Sequence, residues 1–298
     1  MQSASASAGF REKDVRGSSV SIHYAEGPAT GPPLVLLHGL TRDWRSFSTL
    51  LPNLASRFHV FALDLRGHGG SGRAADGYRI SQFADDVDEF MRVRLSEGAV
   101  VFGHSLGAMV AMSLAARSSS KISALIVGDS MISPSNLAAS LYGPLFRQLH
   151  ELMLQKHSSE DLARRIGKIQ LRFPGFEETL RLEDLAGNSE AALIEWARTV
   201  ERTDPEALAM SLDSGAFADW VPERILPRIA CPVLLLQANP ALDGLLSDSD
   251  VELAVRLLPR ARHVRFPLLG HALFMQQAIP VIRAVDEFLA GNAAAQGR

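Results

Sequence analysis

The chain reads as an α/β protein: a mostly parallel central sheet with helices on both faces and a helical segment inserted late. Three observations lead there. Short, continuously apolar runs end abruptly in Gly or Asp, as strands buried on both faces do. Segments with helical spacing alternate with those runs, the rhythm of strand–helix–strand crossovers. The rhythm then stops at 134 and resumes near 232.

In order along the chain, residues 1–9 are Ser- and Ala-rich and are expected to form a disordered tail. Residues 19–24 alternate apolar and polar side chains, which suits a half-buried strand. Leu34-Val35-Leu36-Leu37 is a buried strand ending in His38-Gly39, and 59–63 is another, ending at Asp64. Over 80–95, Phe83, Val87, Phe90, Met91 and Leu95 recur near one helical face. A strand over 99–102 runs straight into a helix from Ser105 to about Arg117, and 122–127 is the next strand. From 134 to 228 no convincing strand is found. Helical patterns rich in Leu, Ala, Glu and Arg are broken there by Pro144, Pro174-Gly175, Gly187-Asn188 and Pro205. Strands follow over 232–237 and 263–266, with helices over 248–258 and 276–289. The division expected is a core of 10–133 plus 229–298, interrupted by a cap of 134–228. The cap's large apolar residues are Phe146, Met153, Phe173, Phe176, Trp196, Met210, Phe217 and Trp220. Most are expected to pack helices, with a minority lining a pocket at the carboxyl ends of the strands.

Composition narrows the function classes. The 298 residues carry 30 Lys plus Arg against 33 Asp plus Glu, a net charge of −3, which offers no electrostatic footprint for nucleic acid. Cys231 is the single cysteine, so neither an internal disulfide nor a cysteine-based zinc site can form. No clustered metal-ligand pattern occurs either. The N-terminus has no basic and apolar signal pattern, and the apolar stretch 99–116 is interrupted by His104, Ser105, Ser113 and two glycines. A cytoplasmic protein with no membrane segment is expected. Gly67-His68-Gly69-Gly70-Ser71-Gly72 fits G-x-G-x-x-G, but more loop follows where a dinucleotide site needs a helix, so no such cofactor is expected.

The sharpest motif is Gly103-His104-Ser105-Leu106-Gly107, a G-x-S-x-G between a buried strand and a helix. That context forces the serine onto a tight, strained turn, with its oxygen raised above the sheet at a helix N-terminus. With it go His38-Gly39 after a buried strand, Asp64-Leu65-Arg66-Gly67-His68-Gly69, and Leu269-Gly270-His271 near the C-terminus. On these motifs the chain resembles the α/β-hydrolase superfamily over nearly its whole length, with the insertion where that family carries its cap.

The resemblance implies a serine hydrolase with Ser105 as nucleophile, His271 as base and an Asp as acid, in the family's order. It also implies an oxyanion hole from the N–H groups of Leu106 and Leu40, with Thr41 as the alternative to Leu40. For the acid two sites compete. Asp129 ends the strand after the elbow, whereas Asp243 follows 233–237, the family's commoner site, at a usual chain separation from His271. The position where that commoner site expects Asp holds Ala241, and Ala238 replaces its glycine, which tips the preference to Asp129. His38 and His68 are expected to make structural hydrogen bonds in their turns. Haloalkane dehalogenases and epoxide hydrolases of this fold use Asp at the elbow. Ser105 therefore implies acyl transfer from a small-molecule substrate to water, without a cofactor. Esters come first; lactones, amides and carbon–carbon bonds beside a carbonyl are alternatives, and a ligand-binding receptor of the same fold is a rarer one.

Overall fold

The structure is a computed structural model and describes residues 9–75, 77–118, 121–135, 137, 140–173, 178–185 and 188–296. Residues 1–8 of the expected 1–9 tail, Phe176, the Pro174-Gly175 break and Gly187 lie outside the described residues.

Eight strands form one sheet: β1 (Arg11–Arg16), β2 (Ser21–Glu26), β3 (Pro33–Leu37), β4 (His59–Leu63), β5 (Ala99–His104), β6 (Ile122–Gly128), β9 (Val233–Gln237) and β10 (Ala261–Arg265). Their order across the sheet is β1-β2-β4-β3-β5-β6-β9-β10. β1 pairs antiparallel with β2 and β2 with β4; every later pairing is parallel. β3, β5 and β9 are buried along their whole length, which is why they read as unbroken apolar runs.

The two-residue period of a strand divides those runs between two cores. Val35, Leu37, Val101, Val127 and Leu235 share one core with α2 (Ile80–Arg94) and α3 (Leu106–Arg117). Leu34, Leu36, Phe102, Ile126 and Leu236 share the other with α1 (Leu51–Ala55) and the last helix, α10 (Ala278–Gln296).

Between β6 and β9 lie α4 (Tyr142–Met153), α5 (Ser159–Gly167), α6 (Glu190–Glu201), α7 (Pro205–Leu212) and α8 (Pro222–Ile225). Good caps start three of them: the Ser158 and Ser189 side chains accept from the third following backbone N–H, and Asp204 precedes Pro205 at the first turn of α7. One correction applies here. The insertion is not free of strands, since β7 (Gln170–Leu171) pairs antiparallel with β8 (Leu180–Arg181). Two residues per strand are too few to show an alternation in sequence. After β9, α9 (Asp248–Leu257) precedes β10. No helix among the described residues is long and apolar enough to cross a membrane.

Candidate active site

Ser105 stands between β5 and α3 with φ 53° and ψ −120°, outside the regions open to ordinary L-residues. The flanking glycines explain how the chain tolerates this. A Cβ on Gly103 would collide with the carbonyl of Gly107, and a Cβ on Gly107 with the carbonyl of Leu37. The turn is pinned on both sides: Ser105 N–H donates to the Gly128 carbonyl at 2.9 Å, and Gly107 N–H to that of His38 at 3.1 Å. The elbow is thus held between β6 and the loop after β3. Leu106 opens α3, and the first N–H groups of a helix have no partner inside it.

His271 follows β10 on the Leu269-Gly270 turn. Its Nδ1 lies 2.6 Å from Asp129 Oδ2. The carboxylate only accepts, so Nδ1 carries the proton and Nε2 of the neutral ring holds the lone pair. Asp129 is fully buried, with a positive φ of 38° at the end of β6. Three backbone N–H groups hold its carboxylate: Ala238 and Leu246 on Oδ1 at 2.9 and 3.3 Å, and Leu245 on Oδ2 at 2.9 Å. These three donors satisfy the lone pairs of a carboxylate that water cannot reach.

Asp243 sits at the same site but does different work. Its Oδ1 accepts the main-chain N–H of His271 at 2.6 Å, and its Oδ2 accepts the Tyr142 hydroxyl at 3.2 Å. One aspartate therefore meets the imidazole and the other the backbone of the same residue. Burial, and next the charge of Asp243, raise the Tyr142 phenol well above its ordinary value, so it remains a donor. The Tyr142 ring, from α4, lies 4.7 Å from the His271 ring.

His104 packs beside His271 and donates from Nε2 to its carbonyl at 2.8 Å. Burial pushes His104 down to about 3, so no second positive charge forms next to His271. His38 is fixed as the Nδ1–H tautomer. It donates to the Gly39 carbonyl at 2.8 Å and accepts the Leu65 N–H on Nε2 at 3.0 Å. His68 donates from Nδ1 to the Arg66 carbonyl at 2.8 Å. Both stitch the loops above the sheet, as expected.

Leu40 lies in a turn closed by Arg42 N–H on the Gly39 carbonyl at 3.2 Å. Thr41 in that turn has φ 61°, a strained value for a β-branched residue. One face of α6 holds the turn down. Trp196 Nε1 donates to Thr41 Oγ1 at 3.3 Å, Thr199 Oγ1 to the Thr41 carbonyl at 2.7 Å, and Arg202 Nη2 to Asp43 at 2.6 Å. Spacings of three residues place these donors along one side of the helix.

A cavity of about 160 Å³ opens over these groups, lined by Leu40, Thr41, Arg42, Ser105, Asp243 and His271 from the core and by Tyr142, Phe146, Phe173 and Trp196 from the insertion. Of the large apolar residues expected in the insertion, Phe146, Phe173 and Trp196 reach the cavity. Trp220 instead bonds the Ile132 carbonyl, and Phe217 is buried in the core. The sequence reading missed Arg42 and Tyr142. Arg42 stands two residues beyond Leu40, a signal that was available; nothing in the sequence marks Tyr142. Among the described residues no group of side chains could hold a metal ion.

Residues 32–278 match the sequence profile of the alpha/beta hydrolase fold family, and the chain belongs to that family. It is 29% identical over 267 residues to the pimeloyl-(acyl-carrier protein) methyl ester esterase of Aromatoleum aromaticum, covering 87% of this chain and 99% of that one. A shorter stretch of 88 residues is 36% identical to the 2-(acetamidomethylene)succinate hydrolase of Mesorhizobium japonicum. That match spans 30% of this chain and about a third, 32%, of the relative. Among solved structures, a thermophilic esterase from Thermogutta terrifontis superposes with a TM-score of 0.70 at 20% identity, covering 95% of this chain and 99% of that one. The enol-lactonase of Burkholderia xenovorans gives 0.67 at 18%, covering 93% and 100%. At such identities the structural likeness is one of fold.

Proposed function

We propose that the protein is a serine hydrolase that cleaves a small carboxylic ester through an acyl-enzyme. The observation that carries this reading is one cavity holding Ser105 on its strained turn and His271, whose Nδ1 is 2.6 Å from the buried Asp129. In this reading His271 Nε2 takes the Ser105 proton as Oγ attacks the ester carbon. The N–H groups of Leu40 and Leu106 stabilise the resulting alkoxide, each worth about 3 kcal/mol. Collapse expels the alcohol, which leaves with the proton from His271. Water, deprotonated by His271, then releases the acid and restores Ser105. Asp129 holds the Nδ1–H tautomer throughout and offsets the imidazolium charge. No cofactor enters this sequence.

The relatives lend support at different levels of detail. One is a methyl ester esterase along nearly its whole length. The names of an acetamido-bearing succinate hydrolase and an enol-lactonase put amides and lactones on the test panel. The experiment is turnover of short methyl and p-nitrophenyl esters by the wild type and by Ser105→Ala, alongside labelling by a serine-reactive fluorophosphonate. Multiple turnovers that the substitution abolishes by about five or six orders of magnitude support the mechanism. Stoichiometric release without turnover would identify a ligand-binding receptor, and unchanged turnover in Ser105→Ala would exclude the acyl-enzyme.

A further inference from the structure

The mechanism leaves one charged group in the cavity without a task. Arg42 lines the cavity with Ser105 and His271. Its guanidinium lies over the Trp196 ring, 4.7 Å from the centroid. The carboxylates nearby are engaged elsewhere. Asp43 is held by the Arg45 backbone and side chain and by Arg202. Asp243 is held by His271 N–H and Tyr142, and Asp129 by His271 and three N–H groups. Among the described residues Arg42 has no carboxylate partner at ion-pair distance. Burial lowers its pKa to about 10, with partial compensation from Tyr142 and Asp43.

A partly buried cation without a counter-ion is costly, and proteins supply one from within or take one from a ligand. A guanidinium is planar and matches a carboxylate with two parallel hydrogen bonds. The cation–π contact with Trp196 holds the guanidinium in the wall of the cavity. We infer that Arg42 is a specificity residue that binds a carboxylate carried by the substrate, so that the preferred ester is a short one with a free carboxylate a few bonds from the scissile carbonyl. The small cavity, about 160 Å³, sets the length. Arg42 is two residues from Leu40 on one tight turn, so anchoring the carboxylate also sets the carbonyl against the proposed oxyanion site. This inference rests on the hydrolase reading for its chemistry but not for its binding.

Two measurements test it. The first is kcat/KM for monomethyl succinate and for its neutral isostere, methyl 4-methylpentanoate, in the wild type, Arg42→Met and Arg42→Lys. The wild type should prefer the anionic ester. Arg42→Met should lower the anionic-to-neutral ratio at least tenfold, chiefly through KM, and Arg42→Lys should restore it in part. The second is calorimetric binding of succinate to Ser105→Ala, with and without Arg42→Met, which needs no turnover. At least tenfold weaker binding in the double variant supports the assignment. Equal losses on both esters, or succinate binding that is absent or indifferent to Arg42, overturn it while leaving the hydrolase reading intact. No turnover of either ester together with Arg42-dependent succinate binding keeps the carboxylate site and removes the esterase reading.

Discussion

The end of the sheet and the segment folded over it build the same cavity by opposite means. On the sheet side, Ser105, Asp129 and His271 each leave a strand end, and their backbones are fixed by hydrogen bonds to neighbouring strands or loops. On the other side, Tyr142, Phe146, Phe173 and Trp196 come from helices and a short ribbon that contribute side chains. The difference teaches where precision is needed. The proposed proton transfer would demand closely fixed groups, and turns pinned to a rigid sheet suit that need. Shape selection tolerates looser packing, and its residues can be exchanged without disturbing the sheet.

The sharpest way to break that contrast is to compare the two aspartates that meet at His271. Asp129→Asn keeps the shape but leaves an amide where only acceptance suits Nδ1–H, so the wrong tautomer becomes favoured. Ester acylation should fall by about 10³–10⁴-fold, the scale of a lost triad acid. Single-turnover acylation rates check this. A loss below tenfold would remove Asp129 from the proposed machinery and return attention to Asp243.

Acid should act on the sheet side. Burial lowers the pKa of His38, and takes His68 and His104 down to about 3. The unfolded chain binds these protons near the ordinary value of 6.5, and the folded chain does not. Stability is therefore whole above about pH 6.5 and falls as pH drops toward about 3, by up to ~1.4 kcal/mol per unit for each histidine. Asp64, raised by burial, works in the opposite sense, but only near the carboxylate range. Urea midpoints at about pH 7.5, 6.5 and 5.5 should decline progressively, and His104→Asn should flatten the slope by up to one proton's worth. A flat profile over this range would show that the three imidazoles charge without cost.

A smaller effect is expected where the two sides touch. Asp243→Asn keeps an oxygen for His271 N–H and the Tyr142 hydroxyl, but without full charge. The structure places it against the backbone of His271 and not its ring, so turnover should fall about tenfold, with no change in which proton moves. Tyr142→Phe should give a similar or smaller loss. A thousandfold loss in Asp243→Asn alone would mean that Asp243 orients the imidazole in solution.

Much of the sheet side was legible in the sequence because burial on both faces leaves an unbroken apolar run, as in β3, β4 and β5. β1 was not. Its six residues, Arg-Glu-Lys-Asp-Val-Arg, lie at the sheet edge, where only Val15 is partly sheltered, so no pattern marks it. The last helix was expected to stop at Leu289, before the Gly291-Asn292 pair that usually ends one. It runs to Gln296, through three alanines whose helix propensity outweighs the pair. Ser105, Asp129 and His271 could be singled out because each follows a strand and sits in a recognisable turn. The work of Asp243 could not, since its partner is a backbone N–H and carries no side-chain signature. Tyr142 meets His271 only through tertiary packing of α4, which chain spacing does not encode.

The smallest expected effect is the most informative about how the inserted helices serve the sheet. The Thr199 hydroxyl shares its one proton between the carbonyl of Thr41, the strained residue beside Leu40, at 2.7 Å and that of Trp196 at 2.8 Å. Thr199→Val keeps the shape and removes that donor. Trp196 and Arg202 still hold the turn, Arg202 through the buried Asp43 carboxylate at 2.6 Å. One hydrogen bond is then lost and one partly buried carbonyl left without this donor, a cost of about 1–2 kcal/mol. If that cost falls on the geometry of the Leu40 turn, kcat for a short ester should drop by about five- to thirtyfold, with KM little altered, because an oxyanion site acts on the transition state. If it falls only on stability, the urea midpoint should drop while kcat holds, and α6 would be a roof and no more. A loss beyond a hundredfold would exceed what one neutral hydrogen bond supplies. It would then point to Thr41, the alternative donor, as the residue whose N–H faces the alkoxide.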